Sequence, residues 1–301
     1  MISFSLIILA SLFFTGILIR TRSIAAGRKG PGIFQPMKDI IRLFKKRAVF
    51  SNTTSFIFQI APSIYFASVI MAILVIPLGE YKGFISFEGD FIFFAYILAT
   101  GKFFNIIAAL DTGSSFEGMG ASREALFSMF AEPAFFILMG SFALLTGHSS
   151  FQQIFTSLHF GSSISYILGV LSTIVLLMIT LVENSRMPFD DPNTHLELTM
   201  VHEVMVLDNC SFDLAIILYA TNLKFAMYGA IIANLFMGSF PLYLTIPIFF
   251  ALQIIFAVTI GMLESFTARF RMNHNAQYIL VLSSVSLLIF LGVLLVLGKF
   301  N

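Results

Sequence analysis

No charged side chain occurs in the 39-residue stretch from Phe225 to Leu263, which reads FAMYGAIIANLFMGSFPLYLTIPIFFALQIIFAVTIGML. A membrane-spanning helix needs about 20 mostly apolar residues to cross roughly 30 Å of hydrocarbon, so this stretch is too long for one helix. Gly238, Ser239 and Pro241 predict a turn inside it. The stretch therefore predicts two transmembrane helices, at about Asp213–Met237 and Leu242–Leu263.

The same length criterion predicts further spans on both sides of this stretch. They lie at Ile2–Ile19, Phe56–Gly79, Phe91–Leu110, Ser122–Thr146, Ser165–Val182 and Tyr278–Gly298. Basic residues follow the first span, whereas they precede the apolar core of a signal peptide, so we interpret it as a retained helix. Continuous apolar runs exclude a spanning β-barrel, whose strands alternate. The fold class is an all-α polytopic membrane protein of about eight transmembrane helices, a single integral membrane domain over residues 1–301.

The composition agrees with a membrane chain. Hydrophobic residues make up 58% and charged residues 11% of the 301, and the mean hydropathy is +0.93. A soluble domain carries about 25% charged residues, so a soluble enzyme, a disordered chain and a nucleic-acid-binding protein are excluded. Cys210 is the only cysteine, which excludes intramolecular disulfides and cysteine-ligated zinc or iron–sulfur sites on this chain.

The basic residues predict the orientation. Nine of the 17 Lys and Arg residues lie between Arg20 and Arg47, and Arg123, Arg186, Arg269 and Arg271 also flank odd-numbered connections. The opposite side holds Lys82 and Lys299. The positive-inside rule then predicts cytoplasmic odd-numbered connections and both termini outside.

The first inner-side loop, residues 20–55, is longer and more basic than a simple connection between two spans needs to be. In Met37–Arg47 the apolar residues recur at helical spacing, which predicts an amphipathic helix with a basic side. The loop is either an anchor to anionic lipid or a docking surface for a soluble subunit. Its candidate docking residues are Arg28, Lys29, Gln35, Lys38 and Arg42.

The second inner-side loop, residues 183–210, concentrates ionisable side chains. They are Glu183, Arg186, Asp190, Asp191, His195, Glu197, His202, Glu203 and Asp208. Asp191-Pro192 suits the start of a helix, and Thr194 with Glu197 fits a capping box, which is a purely structural role for Glu197. His202-Glu203 begins like a zinc-protease motif, but position 206 is Val, so a metal site is not expected.

Ionisable residues also fall in or near the spans. Charges inside a bilayer are costly and face a partner or water. The candidates for a proton route are Lys102, Glu132 and Lys224 within spans, Asp111 and Glu124 near span ends, and Glu203. Two competing interpretations remain: Glu124 as a first-turn acid behind an N-cap at Ser122, and a structural Glu132–Lys102 pair. Pro133 predicts a kink beside Glu132.

The stretch Glu183-Asn-Ser-Arg186-Met-Pro-Phe-Asp190-Asp-Pro192 resembles the E-x-x-R-x-P-F-D-x-P loop of the complex I membrane chain NADH dehydrogenase subunit 1. Its continuation to Met205, and Gly118–Glu124, resemble the hydrogenase branch of that family, which includes formate hydrogenlyase subunit 4 and the equivalent chain of membrane-bound group 4 [NiFe] hydrogenases (hydrogenase-4 component C-like). The resemblance covers nearly the whole chain.

The resemblance implies a noncatalytic membrane anchor on which [NiFe] and Fe–S subunits dock, with antiporter-like membrane subunits beside it in a prokaryotic inner membrane. The [NiFe] centre and Fe–S clusters would belong to those partners, and this chain would bind no cofactor. Glu183, Arg186, Asp190 and Glu197 match the family motif at the docking interface, and Glu203 matches the hydrogenase-branch motif.

Two departures bear on quinone binding. The first loop is shortened between Gly30-Pro31 and Gln35-Pro36, and the acidic ESEL stretch of complex I becomes His195-Leu196-Glu197-Leu198. Both changes fall where the family builds its quinone chamber, so a quinone-free hydrogenase-type complex is favoured over a complex I-like quinone reductase. A stand-alone transporter is the third possibility, although no inverted repeat is visible.

Overall fold

The structure, a computed structural model, describes residues 2–51, 53–158, 163–190, 200–237, 240–270 and 272–298. Within these residues it has eleven helices and no strand. They are α1 (Ile2–Ala25), α2 (Gln35–Phe44), α3 (Phe56–Val75), α4 (Asp90–Asp111), α5 (Ser115–Thr146), α6 (Phe151–Ser157), α7 (Ser163–Glu183), α8 (His202–Met205), α9 (Ser211–Phe236), α10 (Leu242–Phe266) and α11 (Met272–Val296).

Eight of these helices are long and apolar enough to cross a membrane: α1, α3, α4, α5, α7, α9, α10 and α11. The predicted all-α fold with eight transmembrane helices is therefore confirmed. The long uncharged stretch is divided as predicted, since α9 ends at Phe236 and α10 begins at Leu242; the predicted turn residues Gly238 and Ser239 lie outside the described residues.

The start of the fourth span was predicted wrongly. The helix begins at Ser115, seven residues before Ser122, and the Ser122 hydroxyl donates to the carbonyl of Met119 within the helix (2.9 Å). Ser122 is therefore not an N-cap, and Glu124 is not a first-turn acid. The first-turn acid is Glu117, whose carboxylate accepts the backbone N–H of Asp208 (2.9 Å). α5 continues through Pro133 to Thr146.

The amphipathic surface helix is confirmed as α2, which ends at Phe44, short of Arg47. Its apolar side faces the bundle, since Ile40 is buried and the Phe44 ring meets that of Phe212 on α9 at 5.4 Å. The basic side chains of Lys38 and Arg42 are exposed. This arrangement leaves a basic surface at one end of the bundle.

All four odd-numbered connections gather at that end, which we call the odd end. The Cys210 thiol and the Val49 backbone N–H are 3.0 Å apart, and the Ser55 N–H donates to the Asp111 carboxylate (2.7 Å). The N–H of Phe270 donates to the carbonyl of Pro188 (2.9 Å). The sequence placed these connections on one side, and the structure agrees. That this side faces the cytoplasm stays a prediction.

The centre of the bundle is α9, the most buried of the eight spans. It packs against α1, α3, α7 and α10. Its Phe225 ring stacks on that of Phe14 at 5.7 Å, and Phe14 also meets Phe256 of α10. A charged residue on the inner part of this helix is therefore surrounded by other helices rather than by lipid.

Gly101 permits the close packing of α3 on α4. A Cβ at this position would collide with the Ser68 hydroxyl and lie 3.3 Å from the Tyr65 ring. We expect Gly101→Ala to lower the free energy of unfolding by about 1–3 kcal/mol, the usual effect of overpacking. Thermal unfolding of the detergent-solubilised chain measures this effect. Gly140→Ala is the matched control, because a Cβ at Gly140 in α5 meets no atom within 4 Å and should leave stability unchanged or raised.

Candidate functional site

Three charged side chains from three spans meet inside the bundle, and we call them the Lys–Glu–Lys cluster: Lys102 of α4, Glu183 at the end of α7 and Lys224 of α9. The Glu183 carboxylate lies 2.5 Å from the Lys102 ammonium and 2.9 Å from the Lys224 ammonium. Lys224 also donates to the Glu183 backbone carbonyl (2.6 Å), and Lys102 to the Ser128 hydroxyl (3.0 Å). Their side chains are 8%, 6% and 2% exposed, respectively.

The cluster lies well inside the helices. Lys102 is nine residues before Asp111 at the odd end of α4, which corresponds to about 13 Å along the helix axis. Lys224 is thirteen residues after Ser211, about 20 Å along α9. An isolated charge at such a depth is strongly unfavourable, so each ammonium group requires the carboxylate that the structure supplies.

Glu183 reaches this depth because the chain after α7 is folded into the protein. Asn184, Ser185, Phe189 and Asp190 are all buried, and the Asn184 side chain donates to the carbonyl of Thr180 (2.9 Å). Irregular backbone is tolerated at membrane depth only where protein or a cavity surrounds it. The sequence placed Glu183 in a docking loop, whereas the structure places it at the buried end of a span.

Glu124 and Glu132 of α5 flank the cluster on either side. Glu124 is buried and lines a small cavity with Lys102, Glu183, Lys224 and His202. The partly exposed Glu132 lines a second small cavity with Lys102, Glu183 and Tyr228. The alternative of a structural Glu132–Lys102 pair was wrong, because the Lys102 ammonium bonds Glu183 and Ser128 instead.

The cavities form a series that leads to the odd end. The two beside the cluster have volumes of about 20 and 10 Å³, which is room for roughly one water each. A third, of about 70 Å³, is lined by His202, Glu203, Arg186 and Asn222. The last has about 580 Å³ and lies among α1, α2 and α9, with Glu203, Arg186 and Asn222 again in its wall. Neighbouring cavities share lining residues throughout.

Asp190 fixes the position of α8. Its carboxylate accepts the backbone N–H groups of Val201 (3.1 Å) and His202 (3.3 Å) through one oxygen and forms an ion pair with Arg269 (2.7 Å) through the other. Asp190 is itself buried. The family motif residue Asp190 therefore holds the odd-end connections together from inside.

We expect Asp190→Asn to lower the free energy of unfolding by about 1.5–3 kcal/mol, the range for a hydrogen bond to a charged group. The amide keeps an acceptor oxygen but loses the charge that Arg269 requires. Thermal unfolding in detergent measures the loss, and Asp208→Asn, at an exposed side chain, is the control. An equal effect of both variants would contradict this role for Asp190.

Arg186 lies beside a second buried carboxylate. Its guanidinium is 3.6 Å from Glu264 of α10, and Arg22 of α1 approaches the same carboxylate at 3.5 Å. The guanidinium also lies 5.0 Å from the centre of the Phe225 ring, a cation–π contact. Arg186 thus contacts α9 and α10 in the wall of the large cavity and shares the Glu264 carboxylate with Arg22 of α1; its predicted docking role stays a prediction.

The remaining candidates lie apart from the cluster. Asp111 is engaged with the start of α3 through the Ser55 N–H and lines none of the cavities described above. Arg28, Lys29, Lys38 and Arg42 are exposed at the odd end, and Gln35 donates to Asp39 (2.9 Å). Asp191, His195 and Glu197, with the predicted capping box, lie outside the described residues. Within the described ranges, no group of three His, Cys, Asp or Glu side chains has the arrangement of a metal site.

Several polar residues around the cluster were not predicted as site residues. Tyr65, Asn105 and Tyr228 line the cavities around the cluster, Ser128 accepts a hydrogen bond from Lys102, and Asn222 lines the cavities farther out. They are ordinary polar residues in apolar runs, so the sequence gives no signal that separates them from hydroxyls and amides bonded within their own helices. The position of Glu264 does mark it in the sequence, because it is the first charged residue after a long apolar run, as Glu183 is.

Comparison with known proteins agrees with this architecture. The family described as NADH dehydrogenase matches residues 1–296. Over 224 residues the chain is 30% identical to hydrogenase-4 component C of Escherichia coli (strain K12), covering 74% of this chain and 70% of that one. It is 28% identical to formate hydrogenlyase subunit 4 of the same organism over 184 residues, 61% of this chain and 60% of the relative.

A similar solved structure is a chain of the membrane-bound sulfane sulfur reductase, described as an archaeal respiratory membrane complex. The two chains superpose with a TM-score of 0.80 over 95% of this chain and 96% of that one, at 19% sequence identity. This similarity establishes the shared fold.

Proposed function

The chain belongs to the NADH dehydrogenase family, and from that premise we propose that it is a noncatalytic membrane-anchor and coupling subunit of a membrane-bound hydrogenase or formate hydrogenlyase complex. It would dock the [NiFe] and Fe–S subunits and link their redox reaction to proton or sodium translocation through antiporter-like membrane subunits. Those partners would carry all the metal centres. The complex would lie in a prokaryotic inner membrane, with the odd end cytoplasmic and both termini outside.

The observation that carries this proposal is the Lys–Glu–Lys cluster together with its cavities. Two ammonium groups and a carboxylate deep in a membrane protein are typical of an ion or proton pathway. Water-sized cavities beside them provide places for the mobile protons. The series begins at the odd end, where a soluble partner would dock, and ends beside Glu132 in the interior.

The odd-end surface supports docking of a soluble partner. Arg28, Lys29, Lys38 and Arg42 are exposed there, close to the large cavity. α2 packs on the bundle through Ile40, whereas its basic side chains, together with Ile41 (44% exposed) and Phe44 (39% exposed), remain available to a partner or to lipid headgroups. A redox event in a docked subunit would change charge next to Arg186 and Glu203, the outermost members of the pathway.

Co-purification tests the proposed assembly. An affinity tag on this chain, followed by mild solubilisation of native membranes, should recover hydrogenase large and small subunits by mass spectrometry, with a [NiFe] signal in electron paramagnetic resonance. A solubilised complex that lacks hydrogenase subunits and any [NiFe] signal would refute the proposal.

A quinone-reducing, complex I-like role is the second candidate, and the cavity of about 580 Å³ favours it. The wall combines apolar side chains such as Ile19, Ile40 and Leu218 with polar ones such as Gln35 and Arg22, a lining suited to an amphiphilic head group. Bound quinone in the isolated complex, and inhibition of electron transfer by a quinone-site inhibitor, would favour this role over the hydrogenase type.

A further inference from the structure

His202 lies where two of the cavities meet. It lines the cavity of about 10 Å³ that holds Glu124, Glu183 and both lysines of the cluster, and it also lines the cavity of about 70 Å³ beyond. Among the residues that line these two cavities it alone lines both. Any proton or water that passes between the cluster and the odd end by this route therefore passes His202.

The backbone of His202 is held, whereas its ring faces the cavities. The backbone N–H donates to Asp190, which Arg269 fixes in turn. Charged and titratable groups surround it from every neighbouring helix. They are Tyr65 of α3, Lys102 of α4, Glu124 of α5, Glu183 of α7, Lys224 of α9, Glu203 of α8 itself and Arg186 of the segment after α7.

This environment favours a neutral ring. Burial lowers the pKa of His202 below its ordinary value; the positive charges of Lys224 and Lys102 reinforce the shift, and the carboxylate of Glu203 opposes it. A neutral imidazole has one nitrogen that accepts a proton and one N–H that donates, so it can pass a proton through without keeping a charge.

We propose that His202 relays protons between the cavities of the odd end and the buried cluster. One ring nitrogen takes a proton from a hydronium ion on the Glu203 side, which is left as neutral water, and the other nitrogen releases its proton to the Glu124 carboxylate on the cluster side. One N–H bond forms and another breaks, no electron moves, and rotation of the ring restores the starting tautomer. The relay rests on the proposed coupling function, for which it supplies the connecting residue.

Proton delivery to the cluster can be measured on the full chain alone. The chain is reconstituted in liposomes, and a pH jump is followed by time-resolved infrared absorption of the Glu124 carboxyl group, assigned with Glu124→Gln. We expect His202→Gln to slow the response at least tenfold. His274→Gln, at an exposed histidine of α11, should respond at the wild-type rate.

Chemical rescue distinguishes a relay from a merely structural residue. In His202→Ala, added imidazole should restore the rate in proportion to its concentration, which a packing defect would not allow. A wild-type rate in His202→Gln, or a slow His202→Ala that imidazole leaves unchanged, would overturn the relay. Neither result depends on partner subunits, so failure of the relay and failure of the proposed assembly are separate outcomes.

Discussion

Glu183→Gln is expected to lower the free energy of unfolding by about 3–5 kcal/mol, the range for removing one partner of a buried ion pair. The substitution keeps the shape of the side chain but leaves the ammonium groups of Lys102 and Lys224 without their carboxylate. Both ammonium groups lie deep in the bundle, where the adjacent cavities have room for roughly one water each, which does not replace the lost negative charge. Thermal unfolding of the detergent-solubilised chain, followed by circular dichroism, measures the loss.

Two further variants make this result specific. Glu88→Gln, at an exposed carboxylate near the start of α4, should unfold like the wild type. The triple variant Glu183→Gln, Lys102→Met, Lys224→Met should regain most of the lost stability, because the two methionines remove the ammonium charges that Glu183→Gln leaves unpaired. Wild-type stability of Glu183→Gln would contradict the buried cluster.

Glu132→Gln is expected to reduce ion translocation per turnover at least tenfold while leaving the complex assembled. Glu132 is only partly buried and lies outside the ion pairs of the cluster, so its neutralisation leaves no opposite charge unpaired. It lines the innermost cavity of the series, and in the proposed pathway its carboxyl group would carry the proton onward. The measurement is the pH gradient formed by inverted membrane vesicles, divided by their redox turnover.

Glu88→Gln again serves as the control and should translocate at the wild-type ratio. Loss of the assembled complex, with an intact gradient per turnover in whatever assembles, would contradict a role of Glu132 in the pathway. Glu132→Gln and Glu183→Gln thus separate the two properties, since we expect the first to affect mainly translocation and the second mainly stability.

The spans were predictable because hydropathy and length determine them almost alone. Few backbone conformations are possible in lipid, because the backbone polar groups of an apolar run must be hydrogen-bonded within a helix. The start of α5 was missed for a related reason: Ser115–Ala121 is too polar to count as membrane-spanning, yet it continues the helix. Its first-turn Glu117 and the contact with Asp208 stabilise a start that hydropathy does not indicate.

The cluster was predictable only in part. Lys102 and Lys224 stand out as charges inside apolar runs, which marks them as buried and paired. Their partner Glu183 stands at the edge of its run, where the sequence suggests a loop. Only the folding of residues 184–190 into the bundle carries this carboxylate inward, and no local pattern encodes that. Glu132 is closer to Lys102 along the sequence than Glu183 is, which made it the expected ion-pair partner. The Lys102 ammonium instead bonds Glu183 and Ser128.

The residues of the family motif are also structural residues of the bundle interior. The motif around Glu183, Arg186 and Asp190 identifies the family, whereas the contacts show that all three hold the interior together. Asp190 fixes α8 and thereby His202, and Arg186 joins α9 and α10 through Phe225 and Glu264. The predicted docking role of this motif stays a prediction, and Lys38 and Arg42 of α2 are candidates that are exposed at the odd end.

We propose that this chain couples the redox reaction of docked subunits to ion movement. The most direct test of this coupling is the turnover of the purified complex in sealed liposomes, measured with and without an ionophore that dissipates proton and sodium gradients. We predict that turnover builds a gradient and that the ionophore accelerates turnover. Equal turnover in both conditions, with no gradient formed, would contradict the coupling role.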